Sequence, residues 1–117
     1  GRAYLTFCPE EERNEILDLL RGSRDKFDLL VDKPGYVKTF IEETRRQGYG
    51  LRCRQHIYDG RTESVAVPIR IGTRVLGTIG IVGIASAVTG QDLADRHLTP
   101  LMAARDKLEA EVQTLKI

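Results

Sequence analysis

The stretch ESVAVPIRIGTRVLGTIGIV, residues 63–82, decides the fold. Apolar residues alternate in it with small or polar ones, the period-two pattern of strands whose two faces meet different surroundings. Gly72-Thr73 interrupts the alternation as a two-residue connection with glycine in the first central position, where a tight hairpin turn requires a positive φ. Two antiparallel strands follow. On the second, Val75, Gly77, Ile79 and Ile81 share one face, suited to a covering layer of helices. The other face carries Thr78, Gly80 and Val82, together with Ser64, Ala66 and Pro68 of the first strand. Mainly small side chains line this second face. They either let a helix approach the sheet closely or leave space for a small molecule, with Ser64 and Thr78 as polar contacts.

Outward from the hairpin the period becomes helical. Pro9 followed by Glu10, Glu11 and Glu12 marks a helix start, because proline suits the first turn and carboxylates favour the positive end of the helix dipole. Ile16, Leu17 and Leu20 form its apolar face, and Arg21-Gly22-Ser23 ends it. Pro34 is expected to open a further helix with Val37, Phe40 and Ile41 on one side, stopped by Gly48 as a left-handed cap. After the hairpin, Thr89 and Asp92 have capping-box spacing, and Leu98, Leu101, Met102, Leu108, Val112 and Leu115 form the stripe of a long last helix. Pro100 predicts a kink or break between Arg96 and Leu101. Upstream, Ala3, Tyr4, Leu5 and Phe7 read as the end of a helix without an N-cap, so a longer parent chain is expected.

Length and composition narrow the function classes. The chain has 117 residues, enough for one domain with a single core; hydrophobic residues at 41% and charged residues at 30% fit a folded soluble protein. Eighteen Lys and Arg stand against 17 Asp and Glu, so no bulk positive field draws nucleic acid to this segment. Cys8 and Cys53 are far apart, residues 1–5 lack the layout of a signal peptide, and no apolar run reaches membrane length. A cytoplasmic location is the simplest expectation.

Few residues offer chemistry. Leu51-Arg52-Cys53-Arg54-Gln55-His56-Ile57-Tyr58 brings two guanidiniums and a phenol near the sheet edge, either as a solvated basic loop or as a carboxylate-binding group. Cys53 and His56 have a ligand-like spacing, but only Cys8 and His97 remain to complete a zinc site, and no metal is expected. A Cys–His catalytic pair lacks an orienting third group, so no catalytic residue is assigned and no enzyme is expected. Gly77, Gly80 and Gly83 lie inside a strand rather than in a strand-to-helix turn, which excludes a dinucleotide motif and leaves no cofactor. Arg45, Arg46, Arg52, Arg54 and Arg61 lack the spacing of a nucleic-acid motif and read as a solvated edge. Leu101, Leu108 and Leu115 recur every seven residues, fitting core packing first and a dimer seam second.

The ordered set of segments resembles the effector-binding domain of IclR-type transcription regulators. Residues 1–12 (GRAYLTFCPEEE) look like the family's helix junction, and residues 42–50 (EETRRQGYG) like its helix-to-strand passage. Residues 64–70 (SVAVPIR), the hairpin to Gly83 and the exit SAVT at 86–89 complete the set. The resemblance implies a GAF-like fold of the α/β (α+β) class: an antiparallel sheet with a hairpin, flanked by helices and closed by a long C-terminal helix. Residues 1–117 would be an N-terminally incomplete sensor domain without its winged helix-turn-helix. A small organic acid effector, a homodimer or tetramer, operator DNA bound only through the missing domain, and no membrane partner are implied with it.

Carried over by position, the effector site falls at Arg52, Thr62, Ser64, Gly80 and Val82. Several relatives have an acidic residue after the Gly-Tyr turn and serines on the second strand; this chain has Arg52, Gly80 and Val82. A more basic and less polar site suits an aromatic acid, and residues 47–50, 85–89 and 97–101 look most like the branch that activates hydroxyphenylpropionate catabolism. Two other classes remain: an oligomerisation module without ligand, and a small acid-processing enzyme.

Overall fold

The computed structural model describes residues 1–24, 31–53 and 61–115. Among the described residues four α-helices and three strands follow in order: α1 (Arg2–Phe7), α2 (Glu10–Arg21), α3 (Tyr36–Gln47), β1 (Gly50–Arg52), β2 (Thr62–Ile71), β3 (Arg74–Ile84) and α4 (Gly90–Thr114). The strands form one antiparallel sheet in the order β1-β2-β3. This is the expected α+β architecture, with the sheet flanked by helices and a long helix at the C-terminal end.

The hairpin forms as its alternation requires. Ile71 pairs with Arg74 across Gly72-Thr73, and Gly72 has φ +60°, a value that favours glycine. From Thr62↔Ile84 to Ile69↔Gly77 the register is regular; it then shifts to Arg70↔Val75, leaving Leu76 as the extra residue of a bulge. β1 continues the sheet through Gly50↔Ala66, Leu51↔Val65 and Arg52↔Ser64.

Odd-numbered residues of the hairpin from Glu63 to Ile69 and from Gly77 to Gly83 turn toward α4. Beyond the bulge Val75 pairs with Arg70, whose side chain meets Phe7 of α1, so Val75 does not share the face of Gly77, Ile79 and Ile81 as expected. Val65 and Val67 are fully buried and pack with Leu93, Ala94 and Leu101, and Leu51, Ile79, Ile81, Leu98 and Met102 close around them. Removing each such valine side chain from water stabilises the fold by about 1.5–3 kcal/mol. Of the heptad leucines, Leu101 is core while Leu115 is exposed, so the upper part of α4 serves the core and its end projects into solvent. The other sheet face receives α1. At Gly50 the two backbones approach so closely that a Cβ would lie 2.8 Å from the Ala3 amide nitrogen, and the Arg70 guanidinium stands 4.6 Å from the centroid of the Phe7 ring.

The helix ends follow local chemistry. Thr89 caps α4 by accepting from the Asp92 amide at 3.0 Å, while Asp92 accepts from the Thr89 amide at 3.0 Å, completing the capping box. Gly48 ends α3 at φ +86°. Two expectations are corrected. Pro34 lies in a turn and α3 starts at Tyr36, because left-handed Gly35 (φ +77°) supplies the N-cap. Of the kink or break expected at Pro100, the break does not occur: α4 runs through it, and Pro100 and Arg96 are both exposed, which lets water take the carbonyl that loses its partner.

Candidate functional site

The five residues expected to hold a ligand lie on one face. Cross-strand partners point to the same side of a sheet, so the pairs Arg52↔Ser64↔Val82 form one row from edge to edge. Gly80, paired with Ala66, belongs to the next row, and Thr62, paired with Ile84, to the row on the other side. Arg52 is further tied to Thr62, because its guanidinium donates a hydrogen bond to the Thr62 hydroxyl. β1 and β2 thereby hold a cation, two hydroxyls and the small Ala66 within one patch.

α1 divides this face. It covers the sheet around Gly50 and Phe7, and Pro68 is fully buried. Close helix packing thus accounts for the part of the small-residue face around Gly50, and the surface beyond it is open. Arg52, Gly80, Val82 and Ile84 are exposed, the last two by 63% and 65%, while Thr62 and Ser64 are half-buried. The patch combines a basic edge at Arg52 with an apolar surface on β3. A planar acid could place its carboxylate on the guanidinium and its ring on Val82 and Ile84.

Gly80 has a structural role that its residue type did not reveal. A Cβ there would lie 2.6 Å from the Val65 carbonyl oxygen and 3.1 Å from the Ala66 Cβ. The absence of a side chain at 80 is therefore set by the approach of the strands themselves.

Behind the patch is a connection that the sequence reading missed. Glu63, between Thr62 and Ser64, faces the opposite side and is 5% exposed. Its Oε1 accepts a hydrogen bond from the Gly90 amide at 2.6 Å, in the first turn of α4. Gly90 sits so close to β1 and β2 that a Cβ would be 3.1 Å from Cys53 Sγ and 3.5 Å from the Ser64 carbonyl oxygen. The available signal was a glutamate at an inward-facing strand position, which needs a partner whenever it is buried.

The cysteines do not form a disulfide. Burial, with the nearby Glu63 charge in second place, raises the Cys53 thiol above its ordinary value, and burial raises Cys8 likewise. Both thiols are thereby held in the protonated, weakly nucleophilic form. The remaining residues of the basic segment, Arg54 and His56 to Tyr58 among them, lie outside the described residues. Arg45 and Arg46 are exposed on α3, and Arg45 donates to the Thr6 carbonyl oxygen at 3.4 Å. Among the described residues no helix is long and apolar enough to cross a membrane.

No family model matches the sequence. Its structure is similar to that of a transcriptional regulator from Rhodococcus sp. RHA1, with a TM-score of 0.72 at 19% identity over 100% of this chain and 46% of that one. The C-terminal domain of a transcriptional regulator from Vibrio cholerae aligns with a TM-score of 0.67 at 18% identity over 90% of this chain and 57% of that one. An IclR family transcriptional regulator from Brucella abortus gives a TM-score of 0.67 at 23% identity over 95% of this chain and 41% of that one. The chain spans about half the length of these solved structures. At such identities the likeness is one of fold.

Proposed function

We propose that the chain is the ligand-sensing part of a bacterial transcription regulator and that it binds a small organic acid on the open sheet face. One observation carries this reading: the register gathers Arg52, Thr62, Ser64, Gly80 and Val82 on one accessible face of a fold that regulators share. Arg52 is the carboxylate partner, Thr62 and Ser64 supply hydroxyls, and Val82 with Ile84 offers apolar contact. The last pair favours an aromatic acid of the phenylpropionate type over a two- or three-carbon acid, which would leave that surface wet.

The sensor role requires a shift between two arrangements to reach a DNA-binding domain elsewhere in the regulator. The sheet offers a route, because Thr62 and Ser64 flank Glu63, which holds the start of α4. On this reading the chain is not an enzyme, contacts operator DNA only through that other domain, and works in the cytoplasm as a dimer or tetramer.

A second reading draws support from the exposed Leu76, Val82 and Ile84 on β3, an uncharged strand from Val75 to Ile84. Such a strand is prone to pair with another, and an oligomerisation module would use it. Titration of the ¹⁵N-labelled chain with 3-phenylpropionate and its hydroxylated derivatives separates the two. Saturable movement of the Thr62, Ser64 and Val82 amides supports the sensor; concentration-dependent broadening along β3 with no response to any acid supports the oligomerisation module.

A further inference from the structure

A second recess lies away from the open face. Between the last turns of α3, the edge of β1 and the first turn of α4 is a cleft of about 210 Å³. Glu43, Thr44 and Gln47 of α3, Leu51 and Cys53 at β1, Gln91 of α4 and Arg2 of α1 line it. It is below the size of drug-binding pockets. That size admits a small metabolite.

The polar groups define the kind of metabolite. Arg2 lies 5.5 Å and 5.1 Å from the Tyr36 and Phe40 ring centroids and donates to the Tyr36 hydroxyl at 2.9 Å. That contact orients the guanidinium while using one of its five N–H donors. Glu43 is exposed and forms no ion pair with a described residue. Gln47 donates its amide nitrogen to the Tyr49 carbonyl at 2.8 Å and Gln91 donates to Asp95 Oδ1 at 2.9 Å. Both glutamines therefore keep their own carbonyl oxygens as acceptors.

The cleft thus offers one cationic donor, one carboxylate and two amide acceptors. A simple carboxylate would be repelled by Glu43, and an amine without an acid group by Arg2. We propose that this cleft binds a free α-amino acid, its carboxylate on Arg2 and its ammonium on Glu43 and the glutamine carbonyl oxygens. The proposal is separate from the acid site, which uses none of these residues.

The common L-amino acids are added one at a time to the ¹⁵N-labelled chain, followed, for any that acts, by its deaminated acid and its decarboxylated amine. At least one amino acid should move the amides of Thr44, Gln47, Leu51 and Gln91 saturably while leaving Thr78 and Val82 in place, and neither half-molecule should match it. Glu43→Gln, a surface change that should leave the melting temperature unaltered, should weaken that binding by about tenfold or more, the loss of one charge-assisted hydrogen bond. The proposal is overturned if no amino acid moves these amides, if the deaminated acid or the amine binds as well, or if Glu43→Gln binds undiminished. An organic acid that moves Ser64 and Val82 in the same protein reports on the other site, so either proposal can fail without the other.

Discussion

Glu63 and Gly90, 27 positions apart, are joined by a 2.6 Å hydrogen bond that ties the strand carrying Thr62 and Ser64 to the first turn of α4. The carboxylate both satisfies a buried amide and places negative charge at the positive end of a 25-residue helix. Glu63→Gln keeps an acceptor and loses the charge, and should destabilise by about 1–2 kcal/mol. Glu63→Ala also leaves the Gly90 amide without this partner and should cost about 2–3 kcal/mol. Urea unfolding of the two variants checks the order; equal losses would mean that the charge matters and the acceptor does not.

Gly80 and Gly77 lie three residues apart on β3 and should respond oppositely. A Cβ at Gly80 would collide with the Val65 carbonyl oxygen at 2.6 Å, whereas one at Gly77 meets nothing within 4 Å. Gly80→Ala should lower stability by about 1–3 kcal/mol through strain. Gly77→Ala should be neutral or stabilise by up to about 1 kcal/mol, because alanine restricts the unfolded chain. Paired denaturation midpoints test the contrast.

The α4 cap gives a pH dependence with a defined sign. The Thr89 amide, then the Thr89 hydroxyl, hold the Asp92 carboxyl below its ordinary value of 3.8. A carboxyl depressed in the folded state contributes stability above its unfolded value, and that contribution disappears as pH falls through the folded value. The stability difference between the natural chain and Asp92→Asn should therefore be constant above about pH 5, shrink below pH 3.8 and vanish in stronger acid. Urea midpoints of both chains across this range measure it; a difference that persists unchanged in strong acid would show that the ionised carboxylate is not the stabilising form.

The Cys53 thiol should be slow to react. Burial and the Glu63 charge raise it above 9.0, so little thiolate exists at neutral pH. Alkylation of Cys53 in the folded chain should lag well behind that of a free cysteine, and Glu63→Gln should quicken it by removing the neighbouring charge. Mass-resolved labelling rates decide this.

How far the fold was legible depended on the range of the determining interaction. The hairpin and its Gly72 turn, the Gly48 cap and the Thr89–Asp92 box are set within a few residues, and each is visible in the pattern. Parity placed Ser64, Ala66 and Pro68 on one face with Val82, Gly80 and Thr78, and the pairing bears this out only because the bulge at Leu76 shifts the register of the two-residue turn by one residue. Pro34 misled, since local preference puts proline at a helix start while Gly35 offers a cap one residue later. The Pro100 break failed to appear because α4 is held by packing on either side of that residue, through Leu93 and Ala94 before it and Leu101 after it. Longer-range facts were not legible. Nothing around residue 50 announces that α1 would cover half of the small-residue face, and nothing in the spacing of Glu63 and Gly90 joins them.

The central claim is that Arg52 anchors an acid on the open face, and a thermal-shift titration with 3-phenylpropionate and its hydroxylated derivatives tests it most directly. At about 100 times its dissociation constant a ligand should stabilise the chain by roughly 2.7 kcal/mol, a clear rise in melting temperature. The account predicts such a rise for an aromatic acid, its loss in Arg52→Ala and only partial recovery in Arg52→Lys, which lacks the two-pronged donor geometry. A rise that Arg52→Ala leaves intact, or no rise with any acid, would contradict it.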